Sequence, residues 1–182
     1  TFLGKTGNFN GDDILDIIVE QPATARFLSR HLYNFFVADE PQVPAWENTP
    51  PQDPDAIKML EAEYFRSKYD LSSMLRVLFN SEFFKESRFA KVKSPAELVA
   101  GVMRLVDDYT GPKPNIHEIM YASTYMGQDL LNPPTVEGWH TGREWIDSGA
   151  LVERVNFASG QVGDPAKPGV RRIIERLTNQ GP

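Results

Sequence analysis

An all-α fold is predicted for this chain, as a single irregular multi-helix domain with long loops rich in proline and glycine. Three observations favour this fold class. Apolar residues recur every three or four positions in several segments, which is the pattern of a buried helix face. Residues that favour helix N-caps precede several of these segments. No segment alternates apolar and polar residues as a half-buried strand does, so no β-sheet is predicted.

The composition indicates one folded helical domain over residues 1–182 and restricts its partners. Hydrophobic residues make up 41% of the chain, enough to offset the ordering entropy that keeps polar chains unfolded. The net charge is −6, with 19 basic and 25 acidic residues interspersed, so no nucleic-acid binding is predicted. The longest apolar stretch, residues 14–19, is far shorter than the ~20 residues that span a bilayer, so no membrane span is predicted in this chain.

The first half of the chain is predicted to contain four helices. Asp12 to Glu20 forms a short helix with acids in its first turn, and Pro22 begins a second helix. Five prolines make residues 39–54 a loop in which a regular element is not expected. Pro54 then opens a third helix, and Asp70 caps a fourth. The buried face of the second helix is predicted to carry Phe27, Leu28, His31, Leu32, Phe35 and Phe36.

The second half is predicted to contain further helices separated by loops. The run Ser94-Pro95-Ala96-Glu97 is a capping box with proline at the first helical position. Asn115 is placed to cap the next helix. Short helices are then expected at residues 142–146 and 148–158. The tail, residues 163–182, is expected to start with a breaker run of prolines and glycines and to end in a short terminal helix.

Five stretches stand in order along the chain: GNFNGDDILD at 7–16, PATARF at 22–27, VKSPAELV at 92–99, PPTVEGW at 133–139 and VERVNFA at 152–158. Together they resemble the bacterial domain of unknown function 1800 family. The resemblance covers roughly residues 4–159, and residues 39–54 and the tail lie outside it. Because members of the family are generally longer, it implies that this chain is the C-terminal fragment of a longer protein.

The resemblance carries expectations about location more than about chemistry. Members of the family are mostly helical and often exported, which implies a periplasmic or extracellular location. They are often encoded beside a second family that is similar to sulfatases or phosphatases. The family brings no established activity and no agreed catalytic residues, so the resemblance leaves the chemistry of this chain open.

The candidate site lies at the end of a loop that we call the Pro-Pro loop, residues 127–139. Trp139, His140 and Arg143 follow one another closely, with Glu144 and Trp145 directly after them. An aromatic ring, an imidazole and a carboxylate in such a group could bind a sugar ring by stacking, or serve general acid–base catalysis through His140 and Glu144. In the alternative interpretation both tryptophans hold the loop on the helical core, while Arg143 and Glu144 face water.

Two charged groups outside the loop are weaker candidates. Asp12, Asp13 and Asp16 could share a calcium or magnesium ion, although helix capping is the ordinary role of such acids. Arg26 and Arg30, four residues apart, could hold an anion or form ion pairs. The chain has no cysteine, and no two histidines have the spacing of a helical zinc site, so no metal and no cofactor are predicted.

These observations favour a binding or scaffold module of an exported protein, with an extracytoplasmic protein or a polysaccharide as its partner. The alternative is a hydrolase with its site at Gly138-Trp139-His140. A hydrolase requires His140 within hydrogen-bonding distance of a carboxylate in a concave pocket. A scaffold requires both tryptophans to be buried and His140 to lie on the surface.

Overall fold

A computed structural model describes residues 1–41, 43–109, 111–114 and 116–180 of the chain. Asn115, the predicted cap of the helix that follows the Ser94–Glu97 capping box, lies outside these ranges. Within them the regular elements are helices, and the only β-type pairings are two isolated bridges, Phe2 with Lys5 and Thr135 with Gly138. The predicted all-α fold class is therefore confirmed. None of the described helices combines the length and the apolar composition that a bilayer crossing requires.

Backbone contacts divide the chain into an N-terminal unit, Thr1–Lys91, and a C-terminal unit, Val92–Pro182. The N-terminal unit contains α1 (Gly11–Val19), α2 (Pro22–Phe36), a 3-10 helix (Val43–Glu47), α3 (Pro54–Arg66), α4 (Leu71–Asn80) and α5 (Glu82–Glu86). The C-terminal unit contains α6 (Pro95–Val106), α7 (Ile116–Tyr125), a 3-10 helix (Gly142–Ile146), α8 (Ser148–Val162) and α9 (Pro168–Gln180). A single domain over residues 1–182 stays a prediction.

Side-chain caps fix the starts of several helices, as their sequences indicate. The Ser94 hydroxyl accepts the N–H of Glu97 at 3.3 Å, and the Glu97 carboxylate accepts the N–H of Ser94 at 2.7 Å, which confirms the predicted capping box of α6. Asn10 and Asp13 form a second capping box, at α1. Asp70 caps α4 as predicted. These bonds satisfy backbone donors that have no partner inside the helix.

The core of the N-terminal unit lies among α2, α3 and α4. Its buried side chains include Tyr33, Leu60, Tyr64, Met74 and Leu78. The Tyr64 hydroxyl donates to the carbonyl of Val19 at 2.8 Å, which attaches the end of α1 to this core. Burying these apolar side chains is the main stabilising term of the unit.

The predicted buried face of α2 is partly wrong. Leu28, Leu32 and Phe36 do pack against the core, but Phe27 and Phe35 are exposed. The fully buried positions are instead Ala25, Ser29, Arg30 and Tyr33. The first two of these positions hold small residues, which allow neighbouring helices to approach closely.

Residues 39–54 are more ordered than their five prolines indicated. They contain the 3-10 helix Val43–Glu47, where no regular element was expected, and Glu40 is buried. The segment is held by hydrogen bonds that the Arg30 guanidinium donates to the Glu40 carboxylate and to the carbonyl of Thr49.

The tail is also more regular than predicted, since α8 continues to Val162 and α9 is 13 residues long. Val170 of α9 is buried with Val102 and Val106 of α6, and Phe157 of α8 packs against them. Gly169 makes this contact possible: a Cβ at that position would stand 1.8 Å from the carbonyl oxygen of Leu105. The terminal helix is thus part of the core of the C-terminal unit.

Candidate functional site

The first end of the Pro-Pro loop is fixed by Gln128, which directly follows the turn after α7. Its backbone N–H donates to the carbonyl of Ser123 at 2.8 Å, and its side-chain oxygen accepts the N–H of Ala96 at 2.8 Å. Gln128 is buried, and Ala96 lies in the first turn of α6. Gly127 before it has a φ of +95°, a conformation that glycine adopts without strain. The loop therefore begins at a defined point on α6.

Two tryptophans lie at and just beyond the second end of the loop. Trp145, in the second 3-10 helix, is 5% exposed. Its ring lies beside the other end of the loop, since a Cβ built on Gly127 would stand 3.9 Å from Trp145 Cζ3. Trp139 is half-buried, and its indole N–H is buried without an acceptor among the described residues. Trp145 therefore packs beside the start of the loop, and the packing interpretation of the two tryptophans stays a prediction.

The segment between these ends is exposed but locally ordered. The N–H of Asn132 donates to the carbonyl of Asp129 at 3.1 Å, and the N–H of Gly138 donates to the carbonyl of Thr135 at 3.1 Å. The rings of Pro133 and Pro134 fix their φ angles. These turns limit the conformations of the segment even though residues 129–137 are exposed to solvent.

Two aliphatic side chains lie on the exposed segment. Leu131 is 96% exposed and has a φ of +65°, and Val136 is fully exposed. A branched apolar residue in the left-handed region is uncommon and carries strain. Sequence reasoning did not single out either residue, because neither belongs to a helical pattern.

His140 and Glu144 are brought together, since the Nδ1 atom of His140 contacts a carboxylate oxygen of Glu144. More than half of each side chain is exposed. The imidazole ring also stands edge-on to Trp145, with 6.3 Å between the ring centroids. Arg143 is exposed beside this pair. The geometry provides a histidine–carboxylate pair, and it lies open to solvent.

Asp12 and Asp13 lie in the first turn of α1, where Asp13 takes part in the capping box, and Asp16 lies in the second turn. The Asn10 side chain accepts the N–H groups of Asp12 and Asp13 at 2.8 and 3.0 Å, and the Asp13 carboxylate accepts the N–H of Asn10 at 2.9 Å. Asp16 is exposed on the same helix. Among the described residues, no group of three or more histidines and acids is arranged to hold a metal ion.

Arg26 and Arg30 form ion pairs with two different glutamates. Arg26 Nε donates to Glu61 at 3.1 Å on the surface. Arg30 donates to Glu40 at 2.9 and 2.6 Å, and both side chains of this pair are buried. Sequence reasoning missed Glu40, Trp46 and Glu61. The only available signal was a tryptophan within a proline-rich segment.

The chain matches one protein family, described as "Protein of unknown function (DUF1800)", over residues 1–181. The match takes in residues 39–54 and the tail, to which the resemblance of the five sequence stretches did not extend. No curated protein and no solved structure gives a significant match.

Proposed function

The chain belongs to the DUF1800 family of proteins of unknown function, and on that premise we propose that it is a non-catalytic binding module of an exported protein. Its binding surface is the exposed part of the Pro-Pro loop, with His140 and Arg143 at its edge. The observation that carries this proposal is the exposure of Leu131 and Val136 on a loop that Gln128 attaches to α6 and that lies beside the buried Trp145 at Gly127.

A partner protein explains this arrangement better than a polysaccharide. Sugars stack on aromatic rings, whereas the exposed part of the loop, residues 129–137, presents no aromatic side chain. Leu131 and Val136 are aliphatic, and burying each against a protein surface would gain about 1.5–3 kcal/mol. A loop that is already ordered loses little conformational entropy on binding, which favours affinity.

The binding surface can be tested by site-specific cross-linking in the host cell. A photoreactive amino acid at Glu137 lies on the exposed segment, next to Val136. We expect a specific cross-linked protein, and we expect the double substitution Leu131→Ser/Val136→Ser to abolish it. The matched control is Leu151→Ser/Val152→Ser, an exposed pair of the same residue types on α8. Cross-linking that survives the first double substitution would refute this surface.

The exported location rests on the family resemblance. Cell fractionation with an antibody against the chain tests it, and we expect the protein in the periplasm or the medium. If the protein fractionates with a cytoplasmic marker enzyme, the exported location is wrong. The proposed binding surface does not depend on that result.

A hydrolase is the second candidate, and the contact between His140 and Glu144 is the observation that favours it. A histidine paired with a carboxylate can act as a general base. Its exposure weakens the case, because catalytic electrostatics are strongest where water is excluded. A panel of chromogenic esters, phosphates and glycosides tests this candidate. Turnover lost in both His140→Gln and Glu144→Gln would establish the hydrolase and reject a non-catalytic module.

A further inference from the structure

A pocket of about 450 Å³ lies within the N-terminal unit, between the proline-rich segment and helices α2 and α3. Arg26 and Arg30 line it from α2, and Lys58 and Glu61 line it from α3. The proline-rich segment contributes residues 46–51, which include Trp46 and Glu47. The volume is within the range of small-molecule sites in proteins. We propose that this pocket binds a neutral saccharide.

The pocket is preformed, because Arg30 holds its wall in place. Its guanidinium donates to the carbonyl of Thr49 at 2.8 Å and to that of Pro50 at 3.2 Å, in addition to its bonds with Glu40. Glu40 also accepts the N–H of Gln52 at 2.8 Å. This wall of the pocket is therefore ordered before a ligand binds, and little conformational entropy of the chain would be lost on binding.

Trp46 gives the pocket an aromatic wall of fixed orientation. Its indole N–H donates to the carbonyl of Pro41 at 2.7 Å, and the Arg30 guanidinium lies over the ring at 4.6 Å from the centroid. The rings of Phe27 and His31 pack against it. The indole remains partly exposed where it lines the pocket. A fixed, partly exposed indole offers a contact surface for the C–H face of a sugar ring.

The charges around the pocket select against a charged ligand. Arg26 and Glu61 neutralise each other at 3.1 Å, and Lys58 lies 3.5 Å from Asp55. Glu47 adds an exposed carboxylate. Because Arg30 is likewise paired with Glu40, the lining cations leave little unpaired positive charge to hold an anion. An exposed carboxylate such as Glu47 attracts a cation only weakly in water. Sugar hydroxyls can both donate hydrogen bonds to carboxylates and accept them from guanidinium groups. A neutral polyol can therefore bond to the acidic and to the basic side chains that line the pocket.

Nuclear magnetic resonance titration of the 182-residue chain tests the proposal. The probes are glucose, galactose, mannose, N-acetylglucosamine and their common disaccharides, with inorganic phosphate as the anionic comparison. At least one sugar is expected to shift the Trp46 indole signal and the backbone signals of Asn48 and Thr49. Phosphate is expected to leave them unchanged. No shift with any sugar, or a shift with phosphate alone, would overturn the proposal.

Two substitutions locate the bound sugar. Trp46→Ala is expected to weaken binding about three- to tenfold, the value of an aromatic contact. Because that change also removes packing, Glu47→Gln is the decisive variant, and it should weaken binding about tenfold through a lost charged hydrogen bond. Glu86→Gln is the control, since Glu86 is exposed on α5 and does not line the pocket. Equal affinity of Glu47→Gln and Glu86→Gln would overturn the site. The pocket and the Pro-Pro loop are tested by separate measurements, so either proposal can fail alone.

Discussion

Arg30 donates two hydrogen bonds to one carboxylate oxygen of Glu40, and the two side chains are 4% and 0% exposed. The pair attaches the proline-rich segment to α2, because the same guanidinium also binds the carbonyls of Thr49 and Pro50. A buried ion pair is costly to break, because the remaining partner keeps an uncompensated charge, so the pair favours one arrangement of the chain. Here that arrangement forms the wall of the pocket.

Arg30→Met should lower the free energy of unfolding by about 3–5 kcal/mol, since it leaves the Glu40 carboxylate buried without its cation. Urea unfolding at neutral pH measures the loss. Arg26→Met is the matched control, because its pair with Glu61 lies on the surface and should be worth less than about 1 kcal/mol. If the two variants lost similar free energies of unfolding, the burial of the Arg30–Glu40 pair would not add to its contribution to stability.

Gly169→Ala should destabilise the C-terminal unit by about 1–3 kcal/mol, because the added methyl group overlaps the Leu105 carbonyl and forces α9 away from α6. Thermal and urea unfolding measure the effect. Gly160→Ala on α8 is the control: nothing lies within 4 Å of its added Cβ, so the better helix propensity of alanine should stabilise it by about 0.5–1 kcal/mol. The prediction fails if both substitutions shift stability in the same direction.

Gln128→Leu should destabilise the C-terminal unit by about 1–3 kcal/mol, since the N–H of Ala96 loses its acceptor. Hydrogen exchange should also become faster in residues 127–139, because the loop loses its side-chain attachment to α6. Gln128→Glu keeps an acceptor at the same position and should retain most of the protection. If Gln128→Leu and Gln128→Glu had equal hydrogen-exchange rates in the loop, the hydrogen bond between the Gln128 side chain and Ala96 would not hold the loop in place.

Asp70 should make stability depend on pH. Hydrogen bonds from the Ser73 side chain and the Ser72 backbone lower the pKa of its carboxyl in the folded state. A lowered folded-state pKa contributes stability above the ordinary pKa near 4, and this contribution is lost as the pH falls through the folded value. The wild type should therefore have a larger free energy of unfolding than Asp70→Asn at neutral pH. This difference between the two should disappear in acid.

Ser73→Ala removes the largest cause of that shift, so the stability gap caused by Asp70→Asn at neutral pH should be narrower in a Ser73→Ala background than in the wild type. Urea unfolding of the wild type, the two single variants and the double variant at neutral and acidic pH gives the comparison. A gap that stays constant with pH would mean that the charge of Asp70 does not stabilise α4.

The helix starts could be predicted from the sequence because caps are local. Ser94 and Glu97 are three residues apart, and so are Asn10 and Asp13, so each box depends on its own residues alone. For the Asn10–Asp13 box, the sequence predicts only that acidic residues occupy the first turn of the helix. Local chemistry of this kind needs no knowledge of the tertiary fold.

Burial could not be predicted as well, because it depends on which neighbour a helix meets. The aromatic residues of α2 follow a helical period on more than one face, and only some of them pack against the core that α3 and α4 complete. The partner of Arg30 is ten residues away in a segment without an apolar pattern. The candidate site was anticipated in its composition, since His140 and Glu144 meet, but the exposed Leu131 and Val136 carry no periodic signal.

The most direct test of the proposed binding surface is the affinity of the purified chain for the protein cross-linked at Glu137, measured by calorimetric titration. Loss of two buried aliphatic contacts should weaken binding at least about 100-fold in Leu131→Ser/Val136→Ser. The α8 control, Leu151→Ser/Val152→Ser, should bind as the unsubstituted chain does. Unchanged affinity of the loop variant, or an equal loss in the control, would contradict the account.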